Sequence, residues 1–126
     1  MAYDIGPRIG IEGEKEYRQQ IQQITSQQKT LATEMQKVTS AFDKNDQSMQ
    51  NLTAQNQVLN KQVELQKKKL SELQKGLAAA SEKYGENNKV TQGWQQSVNK
   101  ATAQLNALER QLESNNDAIE TANVAG

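Results

Sequence analysis

The stretch YRQQIQQITSQQKTLATEMQKVTSAF, from Tyr17 to Phe42, decides the fold. Its apolar residues are Tyr17, Ile21, Ile24, Leu31, Met35, Val38 and Phe42, and Gln28 fills the one gap. The steps between them alternate four and three. That is the heptad seam of a helix that packs against other helices, with Tyr17, Ile24, Leu31 and Val38 at d and Ile21, Gln28, Met35 and Phe42 at a. The same register continues through Met49, Leu52, Asn56, Leu59, Val63, Gln66, Leu70, Leu73, Leu77, Ala80 and Tyr84. A third seam follows through Trp94, Val98, Ala101, Leu105, Leu108, Leu112, Asn115, Ile119 and Ala122.

Two punctuation points divide these seams. Asp43-Lys44-Asn45-Asp46-Gln47-Ser48 is rich in residues that compete for backbone hydrogen bonds, and Asp46 or Ser48 suits an N-cap. Tyr84-Gly85-Glu86-Asn87-Asn88 places a glycine where a helix ends and an asparagine where the next begins. The predicted helices are therefore about 14–42, 46–84 and 88–122, in a coiled-coil domain spanning 14–122, with a flexible end at 123–126. Residues 1–13 stand apart. Arg8-Ile9-Gly10-Ile11-Glu12-Gly13 alternates and reads as a short strand or extended arm. Ile9 and Ile11 are its candidate partner-docking residues, because two isoleucines make no stable sheet alone.

The composition agrees with a thin architecture. Of 126 residues, 34% are hydrophobic, short of the roughly half expected for a globular core. Lys and Arg number 15 and balance 15 Asp and Glu, which argues against both charge-driven disorder and a general electrostatic nucleic-acid binder. Nineteen Gln and eleven Asn suggest a low-complexity chain, but the heptads override that reading.

The expected fold is all-α: a long antiparallel helical hairpin or three-helix coiled-coil bundle. Folding the chain about Gln47 sets Gln28 opposite Gln66, Met35 opposite Leu59 and Tyr17 opposite Leu77. Folding it near Gly85 sets Asn56 opposite Asn115 and brings Trp94 into the layer of Leu77 and Tyr17. Polar seam residues gathered in this way satisfy one another's hydrogen bonds. The rival is an elongated oligomer in which the first two helices are continuous, so that each seam amide meets its own copy across a symmetry axis.

Chemistry is sparsely represented. With no Cys and no His the chain offers no disulfide, thiolate, imidazole base or usual transition-metal site. No catalytic, cofactor-binding or metal-binding residue is expected, nor a small-molecule substrate. Glu14 with Glu16, and Asp43 with Asp46, are the nearest approach to a carboxylate pair, but each sits at a helix start or turn, where acidic residues complement the helix dipole. Lys67-Lys68-Lys69 is a basic run on a solvated helix face, so DNA contact is not expected from it. Trp94 reads as a core anchor near a helix start. Gly10-Ile11-Glu12-Gly13 lacks the pattern of a nucleotide loop. No apolar run reaches the roughly 18 residues of a membrane span, and the N-terminus lacks the layout of a signal peptide.

Three phrases carry a family resemblance: Gly10 to Ile21 (GIEGEKEYRQQI), Thr39 to Asp46 (TSAFDKND), and Tyr84 to Asn88 (YGENN) followed by Trp94-Gln95. Together they resemble the N-terminal region of tail tape measure proteins of long-tailed bacteriophages and prophages of Gram-positive bacteria. The resemblance covers nearly the whole chain; the heptads between the phrases would match many coiled coils. It implies a structural part of a phage tail that sets tail length and scaffolds tube assembly. The implied partners are tail tube, tail assembly chaperone and tail tip proteins, with self-association besides. The implied location is the tail lumen of the virion, after assembly in the host cytoplasm. Whole tape measures are several times longer, so the expectation is a portion of a larger protein. The alternative expectation is a generic coiled-coil protein-binding module, such as a spectrin-like repeat or a small secreted helical hairpin.

Overall fold

The computed structural model describes residues 11–43 and 48–125. It is all-α, with no strand among the described residues. Three helices run α1 (Glu14–Ser40), α2 (Met49–Tyr84) and α3 (Lys89–Ala125). They are about 40, 54 and 55 Å long at 1.5 Å per residue. Successive helices are antiparallel. Helix α2 lies between the others and packs along both, while no Cα of α1 comes within 8 Å of one in α3 among the described residues. The molecule is thus a bundle with one open side rather than a closed triangle.

Local chemistry sets the helix ends. At the start of α1, Gly13 takes a left-handed φ of 79°, and the Glu14 carboxylate turns back to accept the Ile11 N–H at 3.3 Å. Ser48 caps α2, its hydroxyl accepting the Asn51 N–H at 3.2 Å. Gly85 ends α2 at φ 86°, a value open to glycine at no steric cost. The Asn88 side chain then accepts the Val90 N–H at 2.8 Å. Helix α1 closes at Ser40, short of the expected 42, because Ala41 and Phe42 donate to Val38 and Thr39 in a tightened last turn. Helix α3 runs past 122 to Ala125.

Each seam residue named from the heptads, from Tyr17 to Ile119, is buried or half-buried except Met49, which is 39% exposed. Met49 is the first residue of α2 and lies beyond the end of α1, so only one neighbouring helix is left to cover it. Ile11 departs from the expected bare arm. It is 4% exposed and belongs to the core cluster of Leu73, Ala80, Trp94, Val98 and Ala101. The described part of the arm, Ile11 to Gly13, is a turn closed by the Glu14 N–H on the Ile11 carbonyl at 3.1 Å. That turn tucks Ile11 under the bundle, so it has partners within its own chain. Ile9, Asn45 and Asp46 lie outside the described residues.

Candidate functional site

The end of the molecule near Trp94 carries the densest set of specific contacts. It begins with a glycine inside a helix. Gly76 is buried inside α2, about two turns before its end, where glycine costs about 1 kcal/mol of helix propensity relative to alanine. The Trp94 ring from α3 occupies the space a side chain would need: a Cβ on Gly76 would stand 2.1 Å from the nearest ring carbon. Burying a large side chain of this kind stabilises by about 1.5–3 kcal/mol, which exceeds the propensity cost. One turn earlier on α3, the Thr91 hydroxyl, itself buried, donates to the Ala80 carbonyl of α2 at 3.1 Å.

Helix α1 joins here through side chains alone. Tyr17 and Ile21 pack on the core cluster, and the Arg18 guanidinium lies over the Trp94 ring at 4.8 Å from its centroid. Arg18 also donates to the Glu14 carboxylate at 2.7 Å. Its side chain is 59% exposed, so the pair contributes at most about 1 kcal/mol. Glu14 therefore caps and pairs at the helix start.

Beyond this junction the gap between α1 and α3 forms a groove of about 660 Å³ floored by α2. Arg18, Lys69, Lys89 and Lys100 line it, together with Val90 and Trp94, and no carboxylate does among the described residues. Lys69 donates weakly to the Gln28 carbonyl oxygen at 3.5 Å. The lysine run divides: Lys69 faces this groove, while Lys67 lines a second groove between α2 and α3 with Glu64, Glu109 and Glu113. Elsewhere on α2, the Lys75 ammonium is held above its usual pKa by the hydrogen bond and charge of Glu72, 2.9 Å away.

Two polar layers cross the seams. In the first, Gln28 donates to the Gln66 carbonyl oxygen across α1 and α2, as folding about Gln47 predicts. The Gln66 amide then donates to the Ala101 carbonyl at 2.9 Å and to Gln104 at 3.2 Å. This one side chain, 2% exposed, ties all three helices together. The second layer differs from expectation. Asn56 does not bond Asn115; its amide donates to Asn116 at 2.8 Å, while Asn115 donates to Gln55 at 3.4 Å. Asn115 is buried at the seam as the register requires, but the two adjacent pairs cross α2 and α3 one residue out of step. The Asn56 side-chain oxygen is left buried without a hydrogen-bond partner among the described residues.

Among the described residues no group of three or more Asp, Glu, His or Cys stands close enough to hold a metal ion, and no helix is long and apolar enough to cross a membrane. Gly76, Thr91 and Arg18 lie outside the seam read from the sequence. Gly76 carried one signal, a glycine inside a continuous heptad run, but nothing there named the ring that fills it. Comparison with protein-family models, curated proteins and solved structures finds no match in any of the three.

Proposed function

We propose that this chain is the N-terminal module of a phage tail tape measure protein, a structural and non-catalytic part whose partners are tail tube, assembly chaperone and tail tip proteins. One observation carries the reading: the three resembling phrases fall at joints of the fold rather than in its interchangeable heptads. Gly10 to Ile21 spans the Ile11–Gly13 turn and the start of α1. Thr39 to Asp46 enters the α1–α2 connection. Tyr84 to Asn88 and Trp94 form the α2–α3 turn and the ring seated on Gly76. Sequence at such points is constrained by geometry, so resemblance there carries more weight than resemblance along a seam.

The folded form bears on mechanism. Three helices end to end would span about 150 Å, whereas the bundle spans about 55 Å, the length of its longest helix. The module then acts as a folded terminal piece on which tail components gather, and other parts of the protein do most of the measuring. The test is made in the phage or prophage that carries the intact gene. Opening the bundle with Gly76→Trp should reduce the yield of complete tails seen by electron microscopy. Deleting whole heptads elsewhere in the protein should shorten tails by about 10.5 Å each. Normal tails from both changes would refute the proposal.

A further inference from the structure

We propose that the open groove between α1 and α3 receives the acidic flank of α3 from a second copy of this chain. The groove presents Arg18, Lys69, Lys89 and Lys100 beside the half-exposed Val90, and none of its lining residues among those described is acidic. The side chains of Lys89 and Lys100 have no hydrogen-bonding or ion-pair partner among the described residues. The matching surface is on the same molecule. Glu109, Glu113 and Glu120 are exposed on the C-terminal half of α3, and they too have no such partner there.

One copy cannot join these charges to each other. At 100° per residue, Lys89 and Lys100 lie on one flank of α3, while Glu109, Glu113 and Glu120 lie about 200° around the helix, on the far flank. The two sets also occupy different heights along it. A second copy resolves this, because Lys89 to Lys100 and Glu109 to Glu120 have the same spacing of eleven residues, about 16 Å along the axis. A helix laid in the groove therefore meets both lysines at once. The gap between the α1 and α3 backbones, which stay more than 8 Å apart among the described residues, is the place of a fourth helix. Such a contact uses two different surfaces, so each bound copy still offers one of each, and association continues from copy to copy.

The inference does not depend on the chain's role in a tail. Its test is sedimentation velocity on the purified chain over a range of concentration and salt. Wild type should self-associate at low ionic strength and dissociate near 1 M salt, where the screening length falls to about 3 Å. Lys89→Glu with Lys100→Glu, and separately Glu109→Lys with Glu120→Lys, should each weaken association by about tenfold or more. All four residues are exposed, and circular dichroism checks that helicity is unchanged. Mixing the two variants should restore association, since the groove of each is then opposite in charge to the α3 flank of the other. The four-fold swap should restore self-association. A chain that stays monomeric at all concentrations, association that ignores both swaps, or a groove that binds only unrelated acidic peptides would overturn the proposal.

Discussion

Gly76 and Trp94 form the most demanding contact of the molecule at the scale of single residues. Alanine is the better helix former, yet its Cβ would collide with the indole ring. Gly76→Ala should therefore destabilise the fold by about 1–3 kcal/mol, the usual cost of overpacking, and not stabilise it as helix propensity alone implies. Urea unfolding followed by circular dichroism measures the sign. The polar layers give opposite expectations for similar changes. Gln66 satisfies three groups on its neighbours, and Gln66→Leu should cost about 1–2 kcal/mol. Asn56 already holds an unpartnered oxygen, so Asn56→Leu should be neutral or stabilising by about 1 kcal/mol in the same experiment.

Among the elements, the helix spans and their seam were readable from the heptads, because burial on one stripe needs only the 3.6-residue period. The α2–α3 turn was readable for the same kind of reason: Gly85 and Asn88 have local roles that do not depend on the rest of the chain. Ile11 was not readable. Its alternation with Ile9 resembles a strand, and only the three-dimensional position of the Gly13 turn shows that it folds beneath Trp94 and Val98. The Asn56 layer was half readable, since register fixes the height of a residue but not which of two adjacent amides reaches across. Two substitutions probe these elements. Ser48→Ala removes the α2 cap and should cost about 1 kcal/mol. Ile11→Ala should cost about 2–5 kcal/mol, as for other buried isoleucines, where a free arm would lose nothing. Thermal unfolding of the two variants beside wild type separates these outcomes.

For the whole molecule, the unclosed side is the main property. Helix α2 is covered on two flanks and α1 and α3 on one each, so α1 is held by a single long seam, the Gln28–Gln66 bond and its side chains around Trp94. In dilute solution at high salt, small-angle X-ray scattering should give a particle about 55–60 Å long, set by α3. A rod near twice that length would mean that α1 and α2 had joined into one helix, the arrangement that the unbroken register across residues 43–48 also permits.

The chain contains a single tryptophan, and it lies where all three helices meet. Its ring is 5% exposed, stacked on α2 and covered by a cation from α1. Its fluorescence is therefore an internal gauge with no competing indole signal. Departure of α1 would uncover the Arg18 side of the ring, and separation of α3 from α2 would expose the Gly76 side, so both kinds of opening would shift the emission to longer wavelength. Comparing Arg18→Ala with Gly76→Ala distinguishes which side has opened, without adding any label to the protein.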